Sequence, residues 1–458
     1  MTAEVAQRRT VPGPDQVAPT RKAKTQRIDA VTILSFYTLL LMGIPSTLVV
    51  APLGAVGGPA TIFAALVLLF YLVAWLHPTL APSPGRRPVR GAAILFGSAV
   101  IATYVSANRH VMPSLEQNGA DRGIILICGW LAVLLMACDC ISSIDRLKTL
   151  IGRVVLGGSA MAVLGITQFF TGLDATKYIL IPGLTEQAQA TDLLSRDGLN
   201  RPAATAAHPL EFAAVLAICL PLAINRARFA PPGRRLRRWI EVALIGAALP
   251  ITVSRTAVLA IIVICLILLP SWPRKERRAA YAVLVFSVVG LWAMVPGLLG
   301  TFRSLFGQIS SDTSTTSRTS AFSSAGPYVA QHPWFGRGFG TFLPATYFFT
   351  DDQYLNSLIE IGIVGLLCLI TLFVTGLVTA QKVRHATAVP EFRDMGQSLT
   401  ASIAAAMVTF GTFDALSFDM AAGLTFMLLG CTAAASRLLL DADRPPGEPA
   451  LLSPVRPG

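Results

Sequence analysis

The sequence predicts an all-α integral membrane fold of about twelve transmembrane helices, with one long extracytoplasmic loop between the ninth and tenth spans. Three observations predict it. Apolar residues make up 53% of the 458 residues against 14% charged, with a mean hydropathy of +0.61, which is too apolar for a soluble domain of this size. Uninterrupted apolar stretches of spanning length recur along the chain. Lys and Arg fall on alternate connections, the mark of a chain threaded repeatedly through a bilayer.

Taken in order, residues 1–30 are polar, basic and Pro-containing, and read as a disordered cytoplasmic tail. The first span, 31–52, is too long for a signal-peptide core. The uncharged APLGAVGG leads to the second, 59–76, and Arg86, Arg87 and Arg90 precede the third, 91–106. Spans four and five, 123–138 and 150–171, flank Arg146 and Lys148. A long outward connection, 172–206, leads to span six, 207–224, and six Arg between Arg226 and Arg238 precede span seven, 239–253. Span eight, 256–271, is followed by the basic run Arg274–Arg278 and span nine, 279–297. The outer loop 298–353 separates it from span ten, 354–380; spans eleven and twelve follow at 397–416 and 419–436. Residues 437–458 read as a second cytoplasmic tail, which leaves 31–436 as the membrane domain.

With the N-terminus inside, the inner connections carry twenty-seven Lys and Arg and the outer ones nine, which puts both termini in the cytoplasm. The net charge of +12 is accordingly a matter of topology. It suits anionic membrane lipid at the inner leaflet, and no nucleic-acid partner is expected. Five of the seven Cys fall in spans, and Cys138 and Cys140 at an inner helix end, so neither a disulfide framework nor a metal site is indicated.

Chemistry is expected at the outer face. Long ordered loops are functional more often than short ones, and 298–353 carries the richest set: Arg303, a Ser/Thr tract with Arg318, then HPWFGRGFG with His332 and Arg337, then DDQYLNSLIEIG from Asp351. Arg201 with His208 stands at the entry to span six, and Arg255 at the mouth of span eight. A lone interfacial Arg is ordinarily a snorkelling anchor. Three of them, Arg201, Arg255 and Arg318, on the face poor in basic residues suit a pyrophosphate, because guanidinium groups bind phosphate oxygens in pairs and keep their charge. Asp352, Asn356 and Glu360 are spaced i, i+4, i+8 on one helical face, and a carboxylate as deep as Glu360 must face protein or water. Gly336, Gly338 and Gly340 permit tight turns and a close backbone approach to an anion. The bland alternatives are interhelical hydrogen bonding for the carboxylates, an interfacial belt for the aromatics and a structural loop residue for His332.

Together these segments resemble the O-antigen ligase and Wzy-type polysaccharide polymerase family of bacterial inner-membrane glycosyltransferases. The matching run is Arg201 through HPLEFAAVLAICLPLAI, then SRTAVLA, then Arg318 followed by HPWFGRGFGTF, then QYLNSLIEIGIVGLL, within 195–380. The resemblance implies an enzyme without metal or cofactor that takes a glycan from a polyprenyl diphosphate carrier to an acceptor glycan or glycolipid, with inversion. It implies Arg255 and Arg318, with Arg201, as diphosphate ligands. Asp351, Asp352 and Glu360 are the candidate catalytic carboxylates, and His208, His332, Arg337 and Tyr354 further substrate contacts. Polysaccharide-export proteins are natural partners.

Many O-antigen ligases carry a His-Asn pair before the Tyr-Leu of this helix, whereas this chain has Asp351, Asp352 and Gln353 before Tyr354 and Leu355. That departure favours a polymerase, or a ligase with an acceptor other than a lipid A core. The main rival is a transporter or flippase of lipid-linked saccharides, which would place ionisable residues at mid-membrane and show repeated halves. Transfer from a polyprenyl monophosphate would call for an acidic pair in the first outer loop, and APLGAVGG has none. A structural subunit of an export assembly is a third alternative, which inert Arg substitutions would favour.

Overall fold

The computed structural model describes residues 29–76, 87–109, 111–187, 194–196, 198–294 and 313–440. Arg303, nearly all of the N-terminal tail and the C-terminal residues from 441 lie outside the described residues, as does the side chain of Arg318. The chain is helical, with helices α1 (Ala30–Gly43), α2 (Pro59–Leu76), α3 (Pro88–Ala107), α4 (Ser114–Cys140), α5 (Ile144–Thr171), α6 (Pro209–Arg228) and α7 (Pro232–Ile251). There follow α8 (Arg255–Leu268), α9 (Arg274–Met294), α10 (Thr313–Gln331), α11 (Gln353–Glu360), α12 (Gly362–Ala386), α13 (Pro390–Phe410) and α14 (Asp419–Leu440). Two small antiparallel pairs complete the described part: β1 (Leu48–Val49) with β2 (Thr185–Glu186), and β3 (Leu194–Arg196) with β4 (Leu199–Arg201).

A helix overlies each of the twelve predicted segments. By length and composition six of them, α3, α4, α5, α6, α12 and α14, can cross a membrane, and α1, α2 and α8 are shorter apolar helices. Three predicted boundaries move. The first helix stops at Gly43 rather than 52, because Pro45 cannot continue it, and the chain turns instead into β1. The predicted tenth span is two helices, α11 and α12, broken at Gly362 with φ +66°. The predicted eleventh span ends at Phe410, which leaves Asp414 in a connection rather than in a helix. The predicted outer loop is itself partly helical, in α10.

Small residues let the helices approach closely, as membrane bundles require. A Cβ on Gly430 would lie 2.4 Å from the Leu134 carbonyl oxygen, joining α14 to α4, and one on Gly165 would meet the Phe212 ring at 2.5 Å, joining α5 to α6. α6 and α14 are buried over most of their length and form the centre of the bundle. Exposed apolar side chains such as Leu66, Leu69 and Phe70 on α2 and Leu367 and Val374 on α12 face outward, where lipid would meet them.

The two ends of the bundle differ in chemistry. At one end basic residues are held in ion pairs: Arg87 and Arg90 with Asp139, Arg146 with Asp29, Lys148 with Glu391, and Arg228 with both Asp394 and Glu276. The opposite end gathers the N-termini of α2, α4, α6, α8, α11 and α14. Thr61 on α2 meets Asp419 on α14, Glu211 on α6 meets Met420 and Ala421, and Thr256 on α8 meets Thr412 just ahead of α14. Helix N-termini carry partial positive charge, so this end favours anions through its backbone as well as its arginines.

Candidate functional site

The site forms where four connections meet at that N-terminal end. Arg201 ends β4, and its Nε donates to the Thr252 carbonyl at 3.4 Å, which ties it to the turn between α7 and α8. That turn presents Arg255 as the first residue of α8, behind Ser254, whose hydroxyl caps the helix by accepting from the Thr256 N–H at 3.1 Å. The Thr256 hydroxyl then donates to Thr412 at 2.9 Å and joins α8 to the connection between α13 and α14. In that connection the Asp414 carboxylate accepts from the Thr350 hydroxyl at 2.5 Å and from the Asp352 N–H at 3.2 Å. Asp352 caps α11, its carboxylate accepting from the N–H groups of Tyr354 and Leu355.

Arg201, Arg255, Asp351, Asp352 and Asp414 are thereby brought to one linked set of turns. His208, the N-cap of α6, belongs to it as well, within the field of Arg201 and 6.0 Å from the Phe418 ring. Burial, with the Arg201 charge adding to it, pushes the His208 imidazole down to about 4, so it is neutral at pH 7. Its Nδ1 accepts from the Leu210 N–H at 3.2 Å, which leaves the proton on Nε2 and makes that nitrogen a donor. Asp414 moves the other way. Burial, reinforced by the charges of Asp351 and Asp352, raises its carboxyl to about 6, against the pull of the Thr350 and Asp352 hydrogen bonds. A carboxylate with that value is mostly ionised at pH 7 and is matched to accepting a proton.

Backbone strain concentrates here. The non-glycine residues with positive φ among those described are Ala204 (54°), Val253 (49°) and Asp351 (49°). Each lies within three residues of Arg201, Arg255 or Asp352. For β-branched Val253 this conformation is a true outlier, and such strain, costing about 1–3 kcal/mol per residue, persists where surrounding structure holds a working geometry.

The remaining predicted residues occupy a neighbouring sector. Glu360 is buried, and its carboxylate accepts from the backbone of Gly340 and from the Phe342 N–H at 3.1 Å. The HPWFGRGFG segment thus closes on a carboxyl group of the chain itself, that of Glu360. The segment also fills the break between α11 and α12. The Arg337 and Gly338 N–H groups donate to the carbonyls of Ile359 and Glu360, while the carbonyls of Pro333 and Trp334 accept from Ile363 and Val364. Glycine is required, since a Cβ on Gly336 would sit 2.3 Å from the Glu360 carbonyl. His332 follows α10 and accepts the Gly336 N–H through its carbonyl. Arg337 donates to the Tyr347 hydroxyl at 2.6 Å, pairs with Glu116 at 3.3 Å and stacks over the Tyr347 ring. The Tyr354 hydroxyl donates to the Met407 carbonyl at 2.6 Å. Arg318 lies on α10, whose later turns pack through Ala321 and Ala325 against Leu355 and Ile359 of α11.

A cavity of about 460 Å³ at this end is lined by Thr47, Lys177, Ile181 and Glu186 among others, and none of the proposed site residues lines it.

Sequence reasoning missed Asp414, its partner Thr350, and Glu211, which links α6 to α14. The signal available was a carboxylate inside a predicted span, the same signal that singled out Glu360.

Residues 240–370 match the family model described as O-antigen ligase. Over these residues the chain is similar to O-antigen ligases. The match supports an O-antigen ligase/Wzy-type family, and with the apolar helices it makes the chain a multi-pass membrane protein. The matched segment runs from within α7 to the first turns of α12. It therefore contains Arg255, Arg318, His332, Arg337, Asp351, Asp352, Tyr354 and Glu360, whereas Arg201, His208 and Asp414 join its site from outside the matched segment. The match supports a role in O-antigen ligation or polymerisation at the cell surface. No curated protein matches the chain.

Proposed function

We propose that the chain transfers a glycan from a polyprenyl diphosphate carrier to the hydroxyl of an acceptor glycan or glycolipid, at the outer leaflet of a bacterial inner membrane, with both of its own termini cytoplasmic. The observation that carries this reading is the joining of Arg201 and Arg255 to the carboxylates of Asp352 and Asp414 through Thr252, Thr256 and Thr412. Cations for a leaving diphosphate and a proton acceptor for an attacking hydroxyl are what glycosyl transfer needs, and here they occupy one set of turns.

In the proposed reaction the acceptor oxygen forms a bond to the anomeric carbon while the bond from that carbon to the diphosphate oxygen breaks. The electron pair leaves with the polyprenyl diphosphate, and the hydroxyl proton passes to a carboxylate. Arg201, Arg255 and Arg318 neutralise the departing charge, assisted by the helix N-termini, so the charge that develops meets dipoles already in place. Attack opposite the leaving group inverts the anomeric centre. Among the carboxylates, Asp414 is best matched as base, with Asp351 and Asp352 shaping its field. Glu360 positions the glycine-rich segment that fixes α11. The neutral His208 supplies an Nε2–H donor for substrate oxygen.

The test is the carrier-linked and surface glycan profile of the native host with the gene deleted and then restored. Single repeat units left on the carrier identify a polymerase, and long chains left on the carrier a ligase. An unchanged profile would contradict the proposal and return the flippase reading.

A further inference from the structure

We propose that Arg122 and Asp419 form a sugar-hydroxyl subsite that holds the acceptor glycan; this rests on the transfer reading above and extends it to a place the arginine and carboxylate cluster does not reach. Asp419 is the first residue of α14. One of its oxygens, Oδ2, accepts from the Thr61 hydroxyl on α2 at 3.0 Å. The other, Oδ1, is buried and accepts from nothing. Arg122, in the first half of α4, has a buried Nε–H that donates to nothing. The two side chains lie close enough for the Arg122 charge to act on Asp419, yet they form no ion pair. Buried polar atoms are nearly always satisfied, and a guanidinium donor and a carboxyl acceptor left open within reach of one another's field mark a place for a missing partner.

The chemistry of that partner is narrow. It must accept from a guanidinium and donate to a carboxylate at once. A phosphate can do the first but is repelled by Asp419 and by the neighbouring Glu211, while a metal cation is repelled by Arg122. An apolar chain satisfies neither atom. A hydroxyl, or a neighbouring pair of them on a sugar ring, does both.

The position argues for the acceptor rather than the donor. Glu211 fixes the first turn of α14 to α6: one carboxylate oxygen accepts from the Met420 and Ala421 N–H groups, the other from the Ala207 N–H. That places Asp419 beside the first turn of α6, on the side formed by α2, α4 and α14. Arg255 stands on α8, which packs on α6 and α13 instead. An acceptor attacking in line must be held apart from the diphosphate, and a subsite on α4 and α14 leaves α8, with Arg255, to the donor.

The experiment uses the full chain in nanodiscs. The probe is the polysaccharide of the native host, released by mild acid and fluorescently labelled, with carrier-linked glycan from the same host as donor. Asp419→Asn and Arg122→Gln are expected to weaken probe binding and raise the acceptor KM at least tenfold, leaving the donor KM within twofold and the melting temperature unchanged. If Asp419→Asn does not accumulate, Arg122→Gln, on a different helix, carries the same test. Unchanged probe binding in the variants, or equal shifts in donor and acceptor KM, would overturn the subsite and leave water bridging the two groups. Should the wild type bind the probe and the variants lose it while no transfer occurs, the subsite stands and the transferase reading falls. A wild type that does not bind the probe overturns the subsite.

Discussion

The Asp414 carboxylate accepts a hydrogen bond from the backbone N–H of Asp352, so two carboxylates from connections more than sixty residues apart are held side by side. One of them has work already, since Asp352 caps α11. The other, buried and in the fields of Asp351 and Asp352, is the one whose proton affinity suits a base.

Asp414→Asn should therefore lower transfer by about 10²–10⁴-fold without unfolding the protein, because the amide oxygen still accepts from Thr350. The rate of the wild type should rise with pH as Asp414 ionises, through about 6, and the acid limb should disappear from the residual activity of the variant. A pH–rate profile of both proteins checks this.

Arg255→Ala should abolish transfer, and Arg255→Lys should recover only part of it, because a point charge cannot replace two parallel donors to a diphosphate. Membrane insertion, read by protease accessibility, should not change in either variant.

Asp351 offers a separation of stability from activity. Its φ of +49° suits glycine, so Asp351→Gly should raise stability by about 1 kcal/mol in a thermal melt. Transfer should fall at the same time, since a charge that shapes Asp414 is lost. The opposite holds at Gly336, where Ala brings a Cβ to 2.3 Å of the Glu360 carbonyl at φ +66°. Gly336→Ala should cost about 3 kcal/mol from overpacking and strain together.

Much of the fold could be read in advance because it depends on local pattern: apolar runs of spanning length gave helices, and the Lys and Arg asymmetry appears as the ion-paired end of the bundle. Of the candidate site, Arg201, Arg255 and the Asp351–Asp352 pair are visible in the sequence as charges against an apolar background. Asp414 and Glu211 are carboxylates in apolar runs too, but what each does is set by a partner distant in sequence: Thr350 for Asp414, and the first turn of α14 for Glu211. The break at Gly362 was hidden for a similar reason. It is stabilised by carbonyls of Pro333 and Trp334, nearly thirty residues upstream, which no helical periodicity can report. The glycines of HPWFGRGFG announced a close backbone approach, but not that the group approached would be the Glu360 side chain and the end of α11.

His208 gives a pH dependence of the reverse kind. Its folded value, about 4, lies below the ordinary 6.5, so the folded state prefers the neutral ring. Its contribution to stability is complete above pH 6.5 and is lost as pH falls through 4, at up to about 1.4 kcal/mol per pH unit. Asp414, raised from 3.8 to about 6, gains over part of the same range: its contribution is present below 3.8 and lost as pH rises through 6. The two oppose each other, so His208→Gln should make the protein more stable than wild type at pH 4.5 relative to their difference at pH 7.5. Melting temperatures at the two values check it.

The central claim is that Arg201 and Arg255 hold the diphosphate of a carrier-linked glycan while a carboxylate beside them takes the acceptor proton. It is tested most directly by reconstituting the full chain in proteoliposomes with carrier-linked glycan and acceptor from the native host, and measuring release of free polyprenyl diphosphate together with growth of the acceptor. Both products should form in equal amounts with the wild type, and neither with Arg255→Ala. Release from Arg255→Ala at the wild-type rate, or acceptor growth without release of polyprenyl diphosphate, would contradict it.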